Sequence, residues 1–182
     1  MRILAISGSL RRDSHNRALL RTAGELLPAG VELVSFDALK AIPPFDEDDE
    51  AGPAPAAVAA LREAIADADA VLVATPEYNG SLPGALKNAL DWASRPVASN
   101  PLRGKPVAVI GASTGMFGAV WAQAEARKVL ATIGARVLDE ELPVPHAHEL
   151  LHPADEELKD RLAALLDQLV AAARQERALV AA

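Results

Sequence analysis

Ala70-Val71-Leu72-Val73-Ala74-Thr75, then Pro76-Glu77-Tyr78-Asn79-Gly80-Ser81-Leu82, then Pro83-Gly84-Ala85-Leu86-Lys87-Asn88-Ala89-Leu90-Asp91-Trp92, is the stretch that decides the fold. Its first part, residues 70–75, is apolar without alternation, the pattern of a strand covered on both faces. Pro76 cannot donate to a sheet ladder and ends that strand. Asn79-Gly80 is turn chemistry, and Pro83 suits the opening of a helix, where its missing N–H is no loss. A helix is expected over residues 83–94. A buried strand, a polar reversal and a helix make one half of a βαβ unit, in which successive strands lie parallel.

The same alternation extends in both directions. Upstream, residues 2–7 form a continuous apolar run broken by Gly8, and residues 15–27 carry Leu19, Leu20, Ala23, Leu26 and Leu27 at helical spacing. Residues 31–36 alternate like a strand, residues 40–55 read as a long loop rich in proline and acid, and residues 56–68 are an Ala-rich helix. Downstream, residues 106–112 are a second buried strand, followed by a glycine-bearing turn at 113–118 and a helix to about residue 133. A short strand at 136–138, a loop at 141–153 and a closing helix at 155–179 complete the chain. Five strands separated by helices, joined by right-handed crossovers, predict an α/β three-layer sandwich of flavodoxin-like type with a five-stranded parallel sheet in order 2-1-3-4-5. One domain over residues 1–182 is expected, without internal repeats.

Composition narrows the chemistry. Hydrophobic residues make up 51% of the 182, enough to cover a sheet on both faces, whereas aromatics are only 3%, so the core must be aliphatic. Net charge is −7, which disfavours nucleic acid as a partner. A small phosphorylated ligand remains compatible with it, because a nest of N–H groups and one Arg act locally. With no cysteine there is no thiolate, disulfide or iron–sulfur chemistry, and any redox activity needs a bound cofactor. No stretch is long and apolar enough for a signal peptide or a membrane span, so a cytoplasmic protein without membrane partners is expected.

Ligands of open parallel sheets gather outside the carboxyl ends of the strands, and three segments of unusual composition lie there. The first is Gly8-Ser9-Leu10-Arg11-Arg12-Asp13-Ser14-His15-Asn16. It opens a helix whose free amides and dipole favour an anion, with hydroxyls and a planar guanidinium suited to phosphate oxygens. It is neither a Walker A loop nor a dinucleotide fingerprint, and Ser14 also reads as a plain N-cap. The second, residues 75–83, offers main-chain groups and Asn79 along the edge of a flat heteroaromatic ring. As alternatives, Tyr78 is a surface residue, Glu77 a solvated carboxylate and Trp92 a core or interface anchor. The third, Gly111-Ala112-Ser113-Thr114-Gly115-Met116-Phe117-Gly118, allows close backbone approach and points amides at developing negative charge, or is simply a tight turn.

Together these stretches resemble the NADPH-dependent FMN reductase family, which includes FMN-binding quinone, azo-dye and chromate reductases. The resemblance is carried by Gly8-Ser9-Leu10-Arg11 with Ser14 and Asn16, by Pro76-Glu77-Tyr78-Asn79, by Pro83-Gly84 with Leu86-Lys87-Asn88 and Asp91-Trp92, and by Ser113, Gly115 and Gly118. It implies that Ser9, Arg11, Ser14 and Asn16 hold the FMN phosphate, with Leu10 and His15 beside them. Pro76, Glu77, Tyr78, Asn79 and Gly80 line the isoalloxazine and ribityl side, and Ser113 and Gly115 approach the ring. It also implies homodimers, often paired into homotetramers, with the helix after the middle motif at the interface. The chain departs from many members after Gly118, where a second glycine and a basic residue give way to Ala119, Val120 and Trp121.

The implied activity is transfer of electrons from NADPH or NADH through FMN to a flavin, quinone or related small-molecule acceptor, in a ping-pong scheme needing no catalytic side chain. The rival readings are a flavodoxin-type one-electron carrier and a relative that has lost flavin. His146, His148 and His152 read as a solvated or pH-sensitive loop rather than a metal site, and Asp46-Glu47-Asp48-Asp49-Glu50 lacks the spacing of a calcium loop.

Overall fold

The computed structural model describes residues 1–180. Its strands are β1 (Arg2–Ser7), β2 (Glu32–Phe36), β3 (Ala70–Ala74), β4 (Pro106–Ala112), β5 (Arg136–Val137) and β6 (Leu142–Val144). Its helices are α1 (His15–Leu26), α2 (Ala56–Asp67), α3 (Gly84–Ala93), α4 (Val120–Thr132), α5 (Ala147–Leu150) and α6 (Glu156–Val180). The sheet is parallel, in the order β2-β1-β3-β4-β5, with β6 also paired to β4.

The expected order is therefore present, with one correction. Residues 141–153, read as loop, contain β6 and α5. β5 pairs with Pro106 and Val107 at the start of β4, and β6 pairs with Ile110, Gly111 and Ala112 at its end. Two short strands thus share the fifth position of the sheet. A three-residue strand with a central proline, Leu142-Pro143-Val144, carries too little pattern to be read without its partner.

Alternation along the central strands builds the three layers. Leu4, Ile6, Val71, Val73, Val107 and Val109 face α2, α3 and α4, whereas Ile3, Ala5, Leu72, Ala108, Ile110 and Ala112 face α1 and α6. All five residues of β3 and all seven of β4 are buried. Trp92 is part of the core at 1% exposure. Its Nε1 donates to the Pro43 carbonyl at 2.9 Å, which Asn88 Nδ2 also reaches at 2.8 Å, while Asn88 Oδ1 accepts from Phe45 N at 2.7 Å. These two residues of the middle motif pin the long 40–55 connection onto α3. Gly84 has open space where a Cβ would stand, so no contact within the chain requires a glycine there.

Gly118 has φ +59, and a Cβ on it would lie 2.6 Å from Val144 N and 2.8 Å from Pro143 C. Gly30 also has positive φ, at +83, with nothing within 4 Å. Gly118→Ala is expected to cost about 2–4 kcal/mol, combining backbone strain with overlap against β6. Gly30→Ala should cost only about 1 kcal/mol. Urea unfolding of both variants checks this, and equal losses would mean that the turn is not pressed against β6.

Candidate functional site

The first reversal is organised by its own serines. Ser9 is 3% exposed, and its Oγ accepts from Arg11 N at 3.3 Å; Ser7 Oγ accepts from Ser9 N at 3.3 Å. Ser14 is the N-cap of α1, its side chain accepting from Asn16 N at 3.2 Å. Among the described residues, the N–H groups of Leu10, Arg12, Ser14 and His15 have no protein acceptor. Free donors gathered at a helix N-terminus are chemically suited to an anion. Gly8 gives its N–H to Ala74 O at 2.8 Å, and a Cβ there would meet Leu86 Cδ2 at 3.0 Å and Pro76 Cδ at 3.3 Å. Glycine is what lets the first and second reversals touch.

The second reversal holds a two-residue hairpin. Tyr78 and Ser81 exchange both backbone hydrogen bonds, at 2.9 and 3.1 Å, around Asn79 (φ 55) and Gly80 (φ 74). Positive φ at both central residues is the turn that Asn-Gly favours. Tyr78, Asn79 and Gly80 are consequently exposed. Between the first two reversals lies a hollow of about 340 Å³, lined among others by Leu10, Arg11, Tyr78 and Pro83.

The third reversal leans on the segment that reads as loop. Ser113 N donates to Val144 O at 3.1 Å, Ala147 N donates to Ser113 O at 3.0 Å, and His146 N donates to Gly115 O at 3.2 Å. Ser113 is partly buried and Gly115 exposed. Neither lines the hollow under Arg11 and Tyr78; Ser113 directly follows Ala112, which Asn16 ties to the first reversal.

Two sets of side-chain bonds join the reversals, and neither was evident from spacing. Asn16, 2% exposed, pairs both ends of its carboxamide with one residue of β4: Nδ2 donates to Ala112 O at 2.9 Å, and Oδ1 accepts from Ala112 N at 3.0 Å. Its side chain therefore fastens the first reversal to the third, and what it turns outward is backbone. Glu77 is not simply a solvated carboxylate. Its Oε2 accepts from Trp121 N at 3.1 Å and Ala122 N at 3.2 Å, capping α4, whose own N-cap residue Ala119 is left-handed and has no capping side chain. Glu125 of α4 reciprocates, accepting from Ser81 Oγ and Leu82 N. Partners 96 and 44 residues apart leave no local signal; only the fold brings them together.

His15 sits beside this site with its Nδ1 3.3 Å from His152 Nε2. Burial pushes His15 below its ordinary 6.5, and His152, Arg11 and His148 push it the same way. His146, at φ 45, opens α5, and His148 pairs with Glu149 at 3.3 Å. The His146 and His148 rings lie edge to face, 6.4 Å apart, whereas His152 faces His15.

With the geometry in place, known proteins give its context. The family model for NADPH-dependent FMN reductases matches residues 1–149. An NAD(P)H-dependent FMN reductase of Pseudomonas aeruginosa is 42% identical over 169 residues, spanning 92% of this chain and 90% of that protein. A quinone reductase of Escherichia coli is 40% identical over 141 residues, 76% of this chain and 74% of its own. Among solved structures, the flavoenzyme NAD(P)H:(acceptor) oxidoreductase FerB of Paracoccus denitrificans superposes with a TM-score of 0.87 at 35% identity, covering 96% of this chain and 98% of that one.

Removing the Asn16 carboxamide strands a buried donor and a buried acceptor on Ala112. Asn16→Ala is expected to cost about 2 kcal/mol or more, and the cap-only variant Ser14→Ala about 1 kcal/mol, both read by denaturant unfolding of the flavin-free chain. The reverse ranking would contradict the clasp. His15 should titrate below 6.5 when followed by its ring-proton NMR signal. Because the unfolded chain takes up that proton first, the group subtracts from stability as pH falls through 6.5 and below. A native midpoint above 6.5 would place the ring elsewhere.

Proposed function

The chain belongs to the NADPH-dependent FMN reductase family, and from that premise we propose that the three reversals hold FMN while NAD(P)H and a small-molecule acceptor such as a quinone meet at their exposed rim. As a flavoprotein oxidoreductase it relies on FMN for the redox chemistry, which takes two electrons from the nicotinamide and yields them to the acceptor. The observation that carries the placement is the set of unpartnered amides around Ser9, Arg11 and Ser14 above the α1 N-terminus, beside a hollow that Arg11 and Tyr78 share.

In this reading the free N–H groups of Leu10, Arg12, Ser14 and His15, with the Arg11 guanidinium, bind the phosphate. Pro76, Glu77, Tyr78, Asn79 and Gly80 present backbone to the ring edge, kept in place because Glu77 and Glu125 tie the second reversal to α4. Ser113 and Gly115 close the far side, braced by β6 and α5. Asn16 contributes its position in the first turn of α1 and keeps its side chain for Ala112.

The acceptor face is unusually apolar for a chain so poor in aromatics. Leu10, Tyr78, Met116, Phe117 and Trp121 are each 46–66% exposed, and all stand on or next to the three reversals. The Phe117 and Trp121 rings lie 4.7 Å apart, centre to centre. Exposed apolar surface gathered in one place is what a planar acceptor or a second copy of the chain would cover, which supports pairing into a homodimer or homotetramer. No helix among the described residues is long and apolar enough to cross a membrane, and the reading extends to a cytoplasmic enzyme drawing on the NAD(P)H pool there.

Protein purified and loaded with FMN should show a bound-flavin visible spectrum, oxidise NADH or NADPH with a quinone, and give parallel lines in double-reciprocal plots. Light scattering of the same sample should return a dimer or tetramer mass. Arg11→Ala should weaken FMN binding by about ten- to a hundredfold in a fluorescence-quenching titration, the loss of a charge-assisted phosphate contact. Protein that stays colourless with added FMN, or holds it and oxidises neither nucleotide, would overturn the reading.

A further inference from the structure

Beside α1, away from the hollow under Arg11, runs a second groove of about 380 Å³ between that helix and the edge strand β2. Its existence follows from what the sequence leaves out. Ala5 and Ser35 are register partners on β1 and β2, facing the α1 side, and Gly24 stands opposite them on the helix. Three small residues where a core would carry Leu or Val leave the space above the edge of the sheet unfilled. Leu20 and Leu33 supply an apolar wall.

The rim of this groove is basic. Arg17 and Arg21, with Leu20 and Gly24, fall at helical spacing on one stripe of α1, and Arg12 joins them from the first reversal. Asp37, just past the end of β2, is the one carboxylate in the lining, and it accepts from Arg17 Nη1 at 2.8 Å. That leaves Arg12 and Arg21 without a salt bridge among the described residues, and Arg17 Nε is buried with no hydrogen-bond partner. On a chain of net charge −7, three guanidiniums round one cavity with a single counter-charge, and an orphaned donor among them, point to an anionic occupant. Like charges four residues apart on a helix also repel unless something neutralises them.

We propose that this groove binds the phosphorylated adenosine half of NADPH, and so favours NADPH over NADH. The inference rests on the flavoenzyme reading above. An apolar wall with a basic rim suits a base and a ribose phosphate. An acidic residue at the end of a second strand recognises a ribose 2′-hydroxyl when it is free, and an arginine nearby accommodates a 2′-phosphate. Here Asp37 is already held by Arg17, so the surplus charge of Arg12 and Arg21 favours the phosphate. Neighbouring residues of the first reversal line the two hollows, Arg11 the one it shares with Tyr78 and Arg12 the groove. A dinucleotide lying across that reversal reaches both.

Calorimetry on the FMN-loaded protein with 2′,5′-ADP as probe and 5′-AMP as control tests the site. 2′,5′-ADP should bind at least about tenfold more tightly than 5′-AMP, and Arg21→Ala, an exposed change with no salt bridge to break, should remove most of that difference. In steady state the same variant should raise the ratio of KM for NADPH to KM for NADH by about tenfold, with the flavin spectrum retained. Equal binding of the two probes, no binding, or 2′,5′-ADP affinity that Arg21→Ala leaves intact would each overturn the groove. Should 2′,5′-ADP bind in an Arg21-dependent way to protein that oxidises neither nucleotide, the groove stands as a nucleotide site and the flavoenzyme reading falls.

Discussion

The burial of β1, β3 and β4 on both faces is the constraint from which the rest follows. A strand enclosed in this way satisfies its backbone only through its neighbours in the sheet, because no water reaches it. Its polar business must be conducted at its ends. The carboxyl ends of these three strands lie side by side, and all three chain reversals leave from there. The chemistry of the molecule is concentrated at one edge because the interior gives it nowhere else to be.

An edge made of three separate loops is not rigid by default, and the sequence invests specific side chains in making it so. Asn16 binds the end of β4 as a strand would, with one donor and one acceptor. Glu77 caps a helix that its own neighbour Ala119 cannot cap, and Glu125 returns the contact from that helix. Gly8 and Gly118 remove the atoms that would hold the loops apart. Asn16, Glu77 and Glu125 use their side chains to fix the backbone of these loops. Binding through main-chain groups held in place in advance loses less entropy than binding through free side chains.

How much of this was legible depended on whether the information was local. β1, β3 and β4 could be read nearly to the residue, since a strand buried on both faces is a continuous apolar run closed by Gly8, Pro76 or the turn at Ser113. The helices followed from spacing, and the three reversals from their composition. β6 was missed because three residues with a proline at their centre form a strand only when β4 offers an edge. The same limit applied inside the site. Glu77 reads as lining the ring, or alternatively as solvated, and Asn16 as holding the phosphate, because the partners that engage their side chains are set by tertiary structure. Nothing local marks Arg17 and Arg21, and only the small residues of β1 and β2 opposite reveal a cavity there.

Charge shows the same logic at a larger scale. The chain carries −7 overall, yet residues 1–24 hold five arginines against the single acid Asp13. Spread evenly, such a composition would repel phosphorylated ligands from every direction. The field that matters at binding distance is set by groups within about 8 Å, the screening length at physiological salt. By placing arginines in the first reversal and along α1, next to free amides at a helix N-terminus, the fold creates a positive region inside a negative molecule. Net charge therefore weighs against an extended polyanion and says nothing about a small one, and the difference lies in where β1 delivers the chain.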